Sequence, residues 1–289
     1  MNISIIGGTG TIGTHVVRTL AERGHTPIAL ARSEAAAQAI RQLGGVPHAG
    51  GLDDHDAVRS LVADAHTVLL LTGNGPDQVR HECAVVDAVA GTSQATIVKV
   101  SVPGAAADSP FEIGKVHHTI EEHLRASGLA HTIVRPGWLM QNVALVTGGI
   151  RERDELALPI GDGAVAAVDA RDIALVCALL LEDPTRFAGS DHTLIGAADM
   201  TRTSMAASLG TGTGRPIVFR DSTLDEFAAT LLTNGTPEAA VGDLGMLYDV
   251  IIRHGFLAGA SNALADLTGR PALTFDDFAT AHRDWFARG

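Results

Sequence analysis

The sequence predicts an α/β protein, a doubly wound parallel sheet with a smaller, mainly helical cap in its C-terminal part. Three observations predict it. An apolar strand opens the chain and runs straight into a glycine-rich turn. Strand and helix patterns then alternate through the first half, and from Thr201 onward the pattern is helical and interrupted by glycine. Within the opening, Ile3, Ile5 and Ile6 are β-branched and apolar, as a buried parallel strand requires. Gly7, Gly10 and Gly13 follow at steps of three, and Val16, Val17 and Leu20 continue at helical spacing.

Pro27 to Ala31 reads as the second strand, with a helix from Glu34 to Leu43 after it. Val46 to Ala49 is a short third strand, and Asp53 to Asp64 is helical with Asp53 as its N-cap. Thr67 to Leu71 forms the fourth strand and Asp77 to Ala90 a long helix. Thr96 to Val100 is the fifth strand, Lys115 to Ser127 the next helix, and Thr132 to Arg135 the sixth strand. Alternation of this kind implies right-handed crossovers and helices on both faces of the sheet. Beyond Pro136 the rhythm loosens, and Asn142 to Gly163 is rich in glycine and charge. An apolar helix from Asp169 to Leu181 and a strand at His192–Ile195 bring the chain back to the sheet. The expected division is 1–137 with 164–195 for the sheet domain and 138–163 with 196–289 for the smaller domain. Ligands of such sheets bind beyond the strand C-termini, so the cap is expected to close over the bound molecule.

The glycine turn carries the chemistry. Gly7 permits the tight turn, Gly10 lets the backbone approach a pyrophosphate, and Gly13 lets the helix pack close to the strand. Thr9, Thr11 and Ile12 complete the loop, and the first amides of the helix are donors for phosphate. Dinucleotide binding is the expected activity of this segment. An NAD site places an acid about twenty residues after the turn, on the ribose 2′-hydroxyl. Here Arg32-Ser33 ends the second strand instead. A guanidinium can bind a 2′-phosphate bidentately and Ser33 adds a hydroxyl, so NADP(H) is expected over NAD(H).

Composition narrows the remaining classes. The formal charge is −12 and no basic cluster or basic-aromatic interleaving occurs, so nucleic acid is not an expected partner. Cys83 and Cys177 are the only cysteines, which argues against a disulfide framework and for a reducing compartment. Met1 leads directly into a core strand, and the apolar runs near Val68–Leu71 and Ile173–Leu181 are too short to cross a bilayer. A cytoplasmic protein without membrane partners is expected.

Several motifs together are more specific than the turn: Gly7 to Gly13, Gly114-Lys115, Ile120 to Leu129, Thr132 to Asn142, Asp172-Ile173-Ala174 and Thr268-Gly269-Arg270-Pro271. On these, nearly the whole chain resembles the NmrA-like branch of the short-chain dehydrogenase/reductase superfamily. The resemblance implies a Rossmann domain. It further implies cofactor contacts at Leu71, Thr72 and Pro136, a Lys115 that hydrogen bonds the nicotinamide ribose, and a Ser101 in the place of the superfamily's catalytic serine. Typical members carry Tyr-x-x-x-Lys, where the Lys cation lowers the phenol pKa and the phenol exchanges a proton with substrate. In this chain Phe111 stands four residues before Lys115. The family's Gly-Asp-Leu-x-Asp reads Gly50-Gly51-Leu52-Asp53-Asp54, so the adenine contact of its first acid has no counterpart at Gly51.

Phe111, Trp138, Met140 and Asn142 are candidate lining residues of a pocket for a flat apolar compound, although core packing explains Trp138 and Met140 equally well. Tyr248, the chain's single tyrosine, could replace the lost phenol or be an ordinary half-buried residue. His117, His118, Glu121, Glu122 and His123 crowd one helix, and a solvated face is expected of them rather than a metal site. Two functions remain. One is an NADPH-dependent reductase of quinones or similar electron-poor acceptors, and the other is a non-catalytic NADP(H) sensor acting through a protein partner.

Overall fold

A computed structural model of the chain describes residues 1–288, apart from the side chains of Ala239 and Ile251. It divides into two compact units, residues 1–136 with 170–193 and residues 137–169 with 194–289. In the first unit, strands β1 (Ile3–Ile6), β2 (Ile28–Ala31), β3 (Val46–Ala49), β4 (Thr67–Leu70), β5 (Thr96–Val100) and β6 (His131–Pro136) alternate with helices. The helices are α1 (Gly13–Glu22), α2 (Glu34–Gln42), α3 (His55–Val62), α4 (Gln78–Ala90) and α5 (Glu112–Ala126). The sheet order is β3-β2-β1-β4-β5-β6 followed by the strand Asp191–Leu194. Strands β1 to β6 pair in parallel, Ile5 lying between Ala29 of β2 and Leu69 of β4. The last strand continues the same sense, with the Ile133 amide donating to Ser190 and the Gly137 amide to Leu194. This is the Rossmann arrangement, and its order reverses between β1 and β4.

Both faces of the sheet are covered, which is why β1 and β4 are buried along their whole length without alternation. On one side Val58, Leu61 and Val62 of α3 and Val85, Val86 and Val89 of α4 pack with Val68, Leu70, Ile97 and Leu124. Elsewhere in the unit α1 buries Gly13, Val16, Val17 and Leu20 and runs beside the Ala170–Glu182 helix. Helix α3 begins after the expected Asp53. Its N-cap is Asp54, whose carboxylate accepts the Ala57 amide at 3.0 Å.

The second unit has its own core, in which Trp138, Met140, Leu156, Leu158, Leu209, Phe227, Tyr248 and Phe278 are buried. It is less purely helical than expected. Glu155–Leu158 pairs in parallel with Val218–Asp221, and Ala164–Val165 pairs antiparallel with Met200–Thr201. That second pairing, with Val165 and Ala167 in the core, assigns residues 164–169 to this unit rather than to the sheet unit. The segment from Asn142 to Gly163, rich in glycine and charge, folds as a 3₁₀ turn Met140–Val146, a helix Thr147–Arg153 and the first of these strands.

Candidate functional site

The turn between β1 and α1 admits no side chain at two of its glycines. Gly7 has φ +88°, and a Cβ there would sit 1.9 Å from the Leu71 carbonyl oxygen. A Cβ on Gly13 would sit 2.0 Å from the Gly7 carbonyl oxygen. Gly10 differs. Its amide closes the turn onto Gly7 O at 3.1 Å, yet an added Cβ would meet only that oxygen, at 3.5 Å. Thr9, Gly10 and Thr11 are exposed, while Ile12 is buried and anchors the loop.

Helix α1 has Ile12 at its N-cap position, with no side-chain cap and no acid in its first turn. Ser33 caps α2 and Asp54 caps α3, whereas α4 and α5 share with α1 the lack of a side-chain cap. An uncapped N-terminus leaves amides and the positive end of the helix dipole for an external anion. Open space over Gly10 beside an uncapped helix fits a bound pyrophosphate.

Arg32 and Ser33 are exposed at the end of β2. Ser33 Oγ accepts the Ala36 amide at 3.2 Å, which keeps its hydroxyl hydrogen available to donate. Arg32 carries no ion pair among the described residues. Gly51 lies alongside, and a Cβ on it would be 3.9 Å from Arg32 Cβ. Asp53 is engaged elsewhere, 2.8 Å from Arg80 and 3.0 Å from His81.

Phe111 is the extended N-cap of α5 rather than a residue of its first turn, and its carbonyl accepts the Lys115 amide at 3.3 Å. The Lys115 side chain is half exposed, 3.7 Å from Glu112. Ser101, after β5, is buried and donates its hydroxyl to Glu121 Oε1 at 2.6 Å. Glu121 also accepts from Arg135 Nη2 at 2.6 Å and Arg125 Nη2 at 3.0 Å.

The solvated face expected for the charged residues of α5 is therefore wrong for His117 and Glu121, which are both buried. They share the apolar stripe of Ile120 and Leu124 and turn toward cations on the sheet. No group of three His, Cys, Asp or Glu among the described residues could hold a metal ion.

Two buried residues were not expected from the sequence. Lys99 of β5 and Glu82 of α4 are fully buried, with Nζ and Oε2 2.8 Å apart. Glu82 Oε1 accepts the Thr72 hydroxyl at 2.6 Å and Gln78 Nε2 at 3.1 Å. Lys99 also donates to the Val100 carbonyl and lies 3.2 Å from His117 Nδ1. The lysine inside an otherwise apolar strand was the available signal. Burial pushes the Lys99 ammonium pKa down, and Glu82 opposes that. Burial, and secondarily the Lys99 charge, push His117 down to about 3.

In the second unit Trp138 and Met140 are buried in the core, each 2% exposed, in line with the core-packing alternative that the sequence left open. Asn142 is half-buried. Tyr248 is fully buried, edge-on to Trp138 at 6.2 Å, and burial raises its pKa further. It is core rather than a spare proton donor. Leu71 and Thr72 follow β4 and are half-buried, and Pro136 is buried at the end of β6. Burial pushes the Cys177 thiol up to about 12 and also raises Cys83, which is partly buried.

A profile of the NAD(P)H-binding family matches residues 7–184. The chain is 34% identical over 280 residues to an NAD(P)H azoreductase of Xenophilus azovorans, covering 97% of each protein. It is 26% identical to quinone oxidoreductase 2 of Escherichia coli, covering 94% of this chain and 95% of that one. The NADPH complex of an NADPH-dependent quinone oxidoreductase from Escherichia coli superimposes with TM-score 0.84 at 25% identity, over 97% of this chain and 99% of that one. No helix among the described residues is long and apolar enough to cross a membrane.

Gly10→Val should abolish NADPH binding in a titration while far-UV circular dichroism stays unchanged, because the protein itself leaves room for the side chain. Gly13→Ala, which strikes backbone, should instead lower the melting temperature. Equal NADPH affinity in parent and Gly10→Val would remove the phosphate role of the loop.

His117 gives a pH signature. Between about 6.5 and 3 the unfolded chain binds a proton at this residue and the folded chain does not. Stability from this group is therefore complete above pH 6.5 and falls on acidification, by about 1.4 kcal/mol per pH unit. Urea unfolding of His117→Gln across pH 4 to 7 should show a shallower acid decline than the parent. An identical slope would mean that His117 is not held neutral.

Proposed function

The chain belongs to the NAD(P)H-binding family and is an NAD(P)H-dependent oxidoreductase, and we propose that it uses NADPH to reduce quinones or similarly electron-poor acceptors. The observation that carries the acceptor class is Phe111. The position matching the superfamily's proton-donating tyrosine holds a ring with nothing to donate. The alternatives are committed elsewhere, since the Ser101 hydroxyl proton goes to Glu121 and Tyr248 is a core residue. A ketone needs an acid as its alkoxide forms, because that product is strongly basic. A hydroquinone anion is already stabilised and can take its proton from water. The azo group of the azoreductase relative is likewise electron-poor, and supports the same class.

Bound nicotinamide supplies the hydride. In this reading Gly7, Thr9, Gly10, Thr11, Ile12 and Gly13, with the first amides of α1, hold the pyrophosphate. Arg32 and Ser33 receive the 2′-phosphate, and Leu71, Thr72 and Pro136 border the cofactor at the strand ends. Lys115, half exposed and weakly paired, reaches the nicotinamide ribose. Ser101 keeps a positioning role rather than an acid's. Phe111 is the remaining candidate in the sheet unit to face the acceptor. The preference for NADPH rests on an exposed Arg32 where an acid would exclude the phosphate.

Arg32→Glu should weaken NADPH by about 1.5–3 kcal/mol, the scale of hydrogen bonds to a charged group, and leave NADH nearly unchanged. Fluorescence titration with each cofactor checks this, and equal parent affinities for the two would overturn the preference.

Phe111→Tyr tests the acceptor class. A phenol at this position, near the Lys115 cation, should add ketone reduction on the scale of about 10²–10⁴-fold, with quinone reduction little changed. The measurement is NADPH consumption by parent and variant with one simple ketone and one quinone. A parent that reduces ketones well would contradict the proposal. One that binds NADPH tightly but reduces no acceptor would transfer the protein to the sensor reading. No gain in the variant would show that Phe111 does not face the nicotinamide.

A further inference from the structure

The ion pair of Lys99 and Glu82 has no part in the chemistry above, and both side chains are fully buried. Taking two charges out of water is costly, and apolar side chains of similar volume often replace such a pair without loss of stability. An apolar pair cannot supply the second carboxylate oxygen. Glu82 Oε1 accepts the Thr72 hydroxyl at 2.6 Å, while Oε2 faces Lys99. Lys99 in turn is fixed by the Val100 carbonyl and by His117. The segment gripped in this way is the one that packs on the phosphate turn, since Leu71 O is the atom a Cβ on Gly7 would strike. Beyond Thr72 the chain borders open space, for an added Cβ on Gly73 or Gly75 would meet nothing within 4 Å.

We propose that Glu82, oriented by Lys99, is a positioning residue for the cofactor, acting through the Thr72 hydroxyl to fix Leu71 and Thr72 beside Gly7. The inference rests on NAD(P)H binding and not on the identity of the acceptor. Without the carboxylate oxygen, the Thr72 side chain loses its partner and the carbonyl that borders the turn is free to shift. The charge pair is thus retained for the geometry it imposes on a backbone rather than for net stability.

Four variants test this: Thr72→Val, Thr72→Ser, the paired Glu82→Met/Lys99→Met, and the paired variant carrying Thr72→Val as well. NADPH dissociation constants come from fluorescence titration, and folding is followed by circular dichroism melting. Thr72→Val and the paired variant should each weaken NADPH about tenfold, the scale of one charge-assisted hydrogen bond. The triple variant should be no weaker than the paired one, because both changes remove the same contact. Thr72→Ser, which keeps the hydroxyl, should bind as the parent does. Parent-like binding by Thr72→Val or by the paired variant would overturn the proposal, and so would a multiplicative loss in the triple variant. Should the paired variant fail to fold, Glu82→Leu/Lys99→Leu takes its place, with the same loss of about tenfold expected and parent-like binding overturning the proposal. Acceptor reduction is not read, so failure of the quinone assignment would leave this result standing.

Discussion

At the end of β1 the backbone of Gly7 lies against the Leu71 carbonyl, and Gly13 lies against the carbonyl of Gly7, each too closely for a Cβ. The two approaches draw three things to one point: the strand that opens the sheet, the strand beside it where the order reverses, and the first turn of α1. Backbone contact of this kind tolerates no compensating rotamer, so the geometry depends on two residues without side chains. The uncapped start of α1 completes it, because its amides have no side-chain acceptor.

Beneath this point the first unit places two carboxylates on helices and two cations on strands. Glu82 of α4 meets Lys99 of β5, and Glu121 of α5 meets Arg135 of β6. Each carboxylate also accepts a hydroxyl from the segment leaving a strand, Thr72 after β4 and Ser101 after β5. The two arrangements are chemically parallel. A buried acid, neutralised from the sheet, holds a residue at the C-terminal edge where ligands of such sheets bind. Polar contacts specify one arrangement where apolar packing would accept several, because a misplaced hydroxyl leaves a charge unsatisfied.

The alternation of short apolar strands with amphipathic helices was legible because both faces of the sheet are covered, so strands such as Thr67–Leu70 carry almost no polar residues. The glycine turn was legible because its steric demands appear as residue identity. What the sequence hid was partnership. His117 and Glu121 read as solvated because their partners, Lys99 and Arg135, lie outside the helix, on the strands before and after it, where helical periodicity does not show them. The cap expected at Asp53 falls one residue later because adjacent aspartates look alike in sequence, and only their partners separate them, Asp54 bonded to the Ala57 amide and Asp53 paired with Arg80. Strands of two to four residues in the second unit, such as Ala164–Val165, are too brief for alternation to register. Trp138 was ambiguous for a different reason, since a large aromatic suits a pocket wall and a core alike.

The two thiols bear on chemical durability. Quinones are electrophiles that add to thiolates, and a protein that handles them is exposed to alkylation by its own substrate. Reactivity requires the ionised sulfur. Cys177 is fully buried with its pKa pushed up to about 12, and Cys83 is partly buried with its pKa also raised. Neither sulfur favours its ionised form near neutral pH, so under the proposed quinone reading the chain offers the acceptor no readily formed thiolate.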